Sequence, residues 1–139
     1  VIGLADPADI ARLKREAMVW AVVGLGSNPG RPAYGVARYL QSIGKRIVPV
    51  YPRAEEVHGE QGYRTLAEAA ASVGHIDVVD CFVNSSRVGA IIDEAIAIGA
   101  DAVWMQLDVF DDAAAARARD AGLTVIVNRC PAIEFPRIP

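Results

Sequence analysis

The sequence predicts a Rossmann-like α/β fold: a doubly wound, five-stranded parallel sheet with helices on both faces. Three observations carry that expectation. Short β-branched runs alternate with segments of helical period, the order of elements that successive βαβ units produce. The runs are apolar at nearly every position rather than at every second one, so both faces of the sheet must be covered. The 139 residues are 53% hydrophobic and 22% charged, enough apolar surface for one core and one domain over residues 1–139.

Taken in order, Asp6-Pro7 reads as the cap and first residue of a leading helix. A first strand spans about Met18–Gly24. Val36, Tyr39, Leu40 and Ile43 then fall at i, i+3, i+4 and i+7, one stripe of a helix that Gly44 can end. After a second strand at Arg46–Val50, the stretch from Tyr51 to Arg64 holds Pro52, Gly59 and Gly62 and is an irregular link able to wall a site. Thr65 and Glu68 form a capping box for a helix through about Val73. The third strand is Asp77–Val83. Ser85 or Ser86 can cap the next helix, striped by Val88, Ile91, Ile92 and Ala95 and stopped by Gly99. Ala102–Leu107, an Ala-rich helix from Asp111 or Asp112 to Gly122, and a strand at Thr124–Asn128 complete the set. Right-handed crossovers leave two strand orders, 3-2-1-4-5, which we expect, and the flavodoxin-like 2-1-3-4-5; both put ligands at the carboxyl ends of the strands.

Composition excludes several classes of function. Fourteen Lys and Arg against seventeen Asp and Glu give a formal charge of −3, so nothing draws the chain generally to nucleic acid or to anionic membranes. No apolar run is long enough to span a membrane, and Arg12, Lys14, Arg15 and Glu16 rule out a signal peptide in the leading segment. Cys81 and Cys130 lack metal-ligand spacing or a disulfide framework and fit the reduced thiols of a cytoplasmic protein.

The chemistry is expected in the loop Gly24-Leu25-Gly26-Ser27-Asn28-Pro29-Gly30-Arg31-Pro32, which leaves the first strand where such folds bind phosphate. Gly24 and Gly26 allow close backbone approach, whereas Pro29 stands where a dinucleotide fingerprint wants its third glycine. Ser27, Asn28 and Arg31 offer a hydroxyl, an amide and a guanidinium to phosphate oxygens ahead of a helix N-terminus. An NAD site wants an acid after the second strand; the sequence there is Val50-Tyr51-Pro52-Arg53. A cation in that place suits a ribose phosphate, which leaves NADP or coenzyme A.

These residues resemble the small stand-alone CoA-binding proteins, whose domain is similar to the nucleotide-binding domain of the succinyl-CoA synthetase α chain. The resemblance spans nearly the whole chain. It rests on Trp20-Ala21-Val22-Val23-Gly24, Ser27-Asn28-Pro29 with Arg31-Pro32, Val36 to Leu40, and Ile47-Val48-Pro49-Val50 with Pro52. Further on, it includes Asp77-Val78-Val79-Asp80, Asp93 to Ala100, Trp104-Met105-Gln106 and Asn128-Arg129-Cys130. It implies that Gly24, Ser27 and Arg31 bind the pyrophosphate of CoA or an acyl-CoA, that Val50 to Arg53 hold the adenosine end, and that Val83 and Asn84 border the cofactor. The chain departs from the family pattern at Tyr51, where Asn is usual, at Val83-Asn84 in place of an arginine, and at Asp108 in place of glycine.

No catalytic constellation is recognisable. His58 and His75 have no orienting partner in the sequence and read as surface groups. Asp111 and Asp112 are explained as first-turn acids, and no metal site is expected. Gln106, at the end of the fourth strand, can read a ligand carbonyl or cap a backbone group. The expected function is therefore binding of CoA or acyl-CoA without catalysis. The rivals are an NADP-dependent oxidoreductase and an interaction module with a vestigial pocket.

Overall fold

A computed structural model describes residues 5–139; residues 1–4, part of the expected domain, lie outside the described residues. Asp6 starts α1 (Pro7–Glu16), its carboxylate accepting from the Ala8 amide at 2.8 Å. There follow β1 (Val19–Val23), α2 (Pro32–Ser42), β2 (Arg46–Val50), α3 (Leu66–Val73), β3 (Val78–Cys81) and α4 (Ser85–Ala97). The chain ends with β4 (Ala102–Met105), α5 (Asp112–Asp120), β5 (Thr124–Val127), a short α6 (Pro131–Glu134) and a 3-10 turn at Phe135–Arg137. The strands stop short of their expected ends where the backbone turns left-handed, at Gly24 with φ 102° and at Asn128 with φ 58°.

All five strands are parallel, in the order β2-β1-β3-β4-β5. The doubly wound class is as expected, and the strand order is corrected on one point: the winding reverses between β1 and β3 rather than between β1 and β4. The physical reason lies in the second crossover. α2 packs on one face of the sheet with α1 and Phe135, whereas α3 returns over the other face with α4 and α5. That return delivers β3 to the free side of β1, where the Asp77 carboxylate accepts from the Met18 and Val19 amides at 2.9 and 2.8 Å.

Each face has its own core. Trp20, Trp104 and Phe135 form a buried triangle with ring centroids 5.6–5.7 Å apart, the two tryptophans tilted at 51° and each edge-to-face with Phe135, contacts worth about 0.5–1.5 kcal/mol each beyond their burial. Their indoles are satisfied, Trp20 donating to Ala17 O and Trp104 to Arg129 O. The opposite face is aliphatic, with Leu66, Val88, Ile92 and the alanines of α5 against Val79, Val103 and Val125. One cap differs from expectation: Asn84, not Ser85 or Ser86, precedes α4, because Ser85 turns its hydroxyl to the Asp108 carbonyl and the Phe110 amide.

Candidate functional site

The reversal of winding opens a crevice between the carboxyl ends of β1 and β3, the place where open α/β sheets bind ligands. Gly24 forms its floor. Its φ is 102°, and a Cβ there would lie 2.4 Å from the Phe82 carbonyl, so only glycine lets the two chains pass. Above it lies a cleft of about 1140 Å³, larger than the roughly 300–1,000 Å³ of ordinary small-molecule sites.

Most of the expected residues meet there. Gly24 from β1, Arg31 and Pro32 at the start of α2, Val50, Pro52 and Arg53 after β2, Val83 and Asn84 after β3 and Gln106 after β4 all border the cleft. Gly26, Ser27 and Asn28 do not. The Asn28 side chain accepts from the Gly30 amide at 2.9 Å and its carbonyl accepts from Arg31 N, forming the turn that aims Arg31 at the cleft. Gly26 makes room for the 51–64 link, since a Cβ would come within 3.2 Å of the Tyr51 ring. Ser27 donates both its hydroxyl, at 2.7 Å, and its amide, at 3.3 Å, to the carboxylate of Glu55. Those bonds hold Glu55 below the usual carboxylate range. An acid does therefore reach the glycine loop from the second strand's side, from five residues beyond Val50. The link that carries it is packed on itself, because a Cβ at Gly62 would meet the Glu55 carbonyl at 2.1 Å.

Two residues missed in the sequence, Arg64 and Arg87, also border the cleft. With Arg31 and Arg53 they make four exposed guanidinium groups on one cavity, none in an ion pair among the described residues. Three helices begin at the same rim. α2 and α4 have no side-chain oxygen on their first-turn amides, so the positive ends of both are open to an anion. Glu94 is the counterweight, a half-buried acid whose pKa burial raises toward neutrality of charge.

The far wall is polar in another way. Gln106 is nearly buried and donates its Nε2 to Asp80 Oδ1 at 2.6 Å. Asp80 is fully buried with Oδ2 unpartnered, and burial pushes its pKa up to about 8 against the opposing pull of Gln106. Cys130 borders the cleft beside them, its thiol pKa likewise raised by burial. Asp108 has φ 65°, the left-handed conformation that glycine adopts freely. Its amide donates to Asn128 Oδ1 at 2.9 Å. Neither histidine borders the cleft: His58 ties the 51–64 link to the Tyr34 carbonyl at 2.8 Å, and His75 sits with Asp77 and Asp101 at the other edge of the sheet.

A doubly wound sheet with a crevice at its switch point is the architecture of Rossmann-like nucleotide-binding domains. The particular family follows from the sequence match: the CoA binding domain matches residues 18–136, and this chain belongs to that family. It is 29% identical over 123 residues to the Bacillus subtilis (strain 168) protein YneT, covering 88% of this chain and 89% of that one. Among solved structures it is similar to a Pyrococcus horikoshii OT3 protein, at 32% identity and TM-score 0.88, over 96% of this chain and 92% of the other. A Thermus thermophilus protein is similar at 28% identity and TM-score 0.85, over 95% and 98%. No helix among the described residues is long and apolar enough to cross a membrane.

Proposed function

We propose that the cleft binds coenzyme A or an acyl-CoA, with the nucleotide held by charge and the pantetheine arm lying along the polar wall. The observation that carries this reading is the convergence of Arg31, Arg53, Arg64 and Arg87 on one cavity. A ligand bearing a ribose phosphate and a diphosphate offers each guanidinium a partner. Arg53, after β2, stands at the adenosine end, and Arg31 faces the diphosphate at the start of α2. The arm then crosses the ends of β3 and β4 past Asn84 and Gln106. The role is binding without catalysis, a reading supported by the engagement of both histidines outside the cleft.

Glu55 gives this reading a specificity element. Its carboxylate engages the Ser27 donors, outside the cleft lining, and its charge beside the glycine loop opposes a ligand diphosphate. Titration calorimetry with CoA, NADP and NAD tests the reading. CoA binding most tightly is the expected result, and Glu55→Gln strengthens it by removing a like charge. NADP or NAD binding more tightly than CoA overturns the reading in favour of a nicotinamide site.

A further inference from the structure

Beneath the wall of the cleft, Asp80 and Gln106 form a pair that the sequence did not connect. Asp80 lies in β3 between Val22 of β1 and Trp104 of β4. Its carboxyl is sealed from solvent, with one oxygen on Gln106 and the other on nothing. Gln106 itself borders the cleft, and its Oε1 is not among the sealed atoms without a partner. The two ends of a primary amide have nearly the same shape and differ in polarity, so the partner beneath decides which end faces outward.

The contact distance bears on that choice. At 2.6 Å it is short for N–H···O, roughly 2.7–3.2 Å, and within the range of O–H···O, roughly 2.5–3.0 Å. A protonated carboxyl set against the amide oxygen satisfies its hydroxyl and leaves only a carbonyl under-used. Set against the amide nitrogen, it buries an orphaned O–H donor, the costlier alternative.

We propose that Asp80 is a positioning residue that sets the polarity of Gln106 toward the ligand. As the acid, Asp80 donates to Gln106 Oε1 and leaves Nε2–H facing the cleft; as the carboxylate, it accepts from Nε2 and turns Oε1 outward. The donor end reads a carbonyl oxygen of the pantetheine arm or of the acyl thioester, which rests on the CoA reading above. Burial sustains the acid form at neutral pH and places the turnover at about pH 8. The neighbours in the sheet, Val22 and Trp104, carry no charge. The titratable groups that feel Asp80 are Cys81 and Cys130, whose thiols are pushed upward by burial first and by the Asp80 charge after it. Glu134, near Cys130, acts on that thiol.

The test measures affinity from pH 7 to 9.5 for two probes, acetyl-CoA, which has no free thiol, and 3′-phosphoadenosine 5′-diphosphate, which lacks the arm. Acetyl-CoA binding weakens roughly two- to tenfold across pH 8, the worth of one net hydrogen bond, while the nucleotide holds steady. Asp80→Asn abolishes the dependence, and Gln106→Leu abolishes it and weakens acetyl-CoA already at pH 7. Cys130→Ser keeps it. Infrared difference spectra show a protonated-carboxyl band at pH 7 that fades toward pH 9.5 and is missing in Asp80→Asn. A dependence that survives in Asp80→Asn, or that disappears in Cys130→Ser, overturns the proposal, as does an equal change for both probes. Failure of both probes to bind removes the CoA reading and this inference with it, even where the infrared band behaves as expected.

Discussion

The two edges of the sheet handle charge in opposite ways. At the amino edge the charged groups are spent on the protein itself: Asp77 on two strand amides, His75 on Asp101, Arg12 on Asp9 and Thr124, and Lys14 on the Phe135 and Ile138 carbonyls. At the carboxyl edge Arg31, Arg53, Arg64 and Arg87 border one cleft with no ion-pair partner among the described residues, above a buried acid with a spare oxygen. Folding alone explains the first arrangement, since each group has a protein partner, the strand amides above all, and the exposed His75–Asp101 pair adds only a screened contact. It does not explain the second. Unspent charge that converges on a concave surface marks a binding site better than charge as such, and the chain's net charge of −3 hides it entirely.

The largest test of the contrast is a pH scan of stability. Asp80 has a folded pKa of about 8 against 3.8 for the free group, so the folded state holds a proton that the unfolded chain releases. Stability is therefore complete below about pH 4 and declines toward pH 8, at most about 1.4 kcal/mol per pH unit. Chemical denaturation should show that slope, and Asp80→Asn should flatten most of it. Next in size is Gly24→Ala, which combines a left-handed φ with a 2.4 Å approach to Phe82 O. We expect a loss of about 2–4 kcal/mol together with ligand binding, measured by denaturation and calorimetry.

Much of this was legible in the sequence, for reasons that also mark its limits. Strand positions and the caps Asp6, Thr65 and Asp111 depend on local periodicity and local hydrogen bonds, and the structure shows all three side chains accepting first-turn amides. Strand order depends on which neighbour a crossover reaches, which periodicity does not encode, and there β3 took the place beside β1. The cationic cleft was half legible. Arg31 and Arg53 stand next to a glycine loop and a strand end, whereas Arg64 and Arg87 precede or open helices far along the chain, and only the winding brings them in. Glu55 escaped because the acid was sought at the end of β2. Asp80 carried a signal that went unused, an ionisable residue inside an unbroken apolar strand, where charge is rarely buried without a purpose.

The two edges should also separate stability from binding. Asp77→Ala removes the acceptor of the Met18 and Val19 amides; charge-assisted bonds of this kind are worth about 1.5–3 kcal/mol. Stability should fall by about 2 kcal/mol while CoA affinity stays unchanged. Arg31→Ala should do the reverse, with CoA affinity down about tenfold, or about 1.4 kcal/mol, and the denaturation midpoint unmoved. A stability loss in Arg31→Ala as large as that in Asp77→Ala would mean that the cleft arginines serve the fold, and the contrast between the edges would dissolve.

The smallest expected effect belongs to His75 and separates its titration from that of Asp80. His75 Nε2 lies 3.0 Å from Asp101 Oδ2 and 3.6 Å from Asp77 Oδ1. The Asp101 hydrogen bond raises its pKa above the ordinary 6.5, with burial pulling slightly the other way. The folded state thus holds this proton more tightly than the unfolded one, and the stabilisation is complete below about pH 6.5 and fades as pH rises through the raised value. His75 is 53% exposed, so solvent screening keeps the contribution at no more than about 1 kcal/mol. Its slope lies inside the pH range of Asp80 and has the same sign, so it must be sought in Asp80→Asn, where the larger one is gone. There the remaining decline should flatten on adding His75→Gln, and also in 1 M salt, because an exposed pair is screened and a sealed carboxyl is not. A residual slope that ignores both treatments would show that the amino-edge cluster binds no extra proton, and would assign the remaining pH response to a group other than His75 and Asp80.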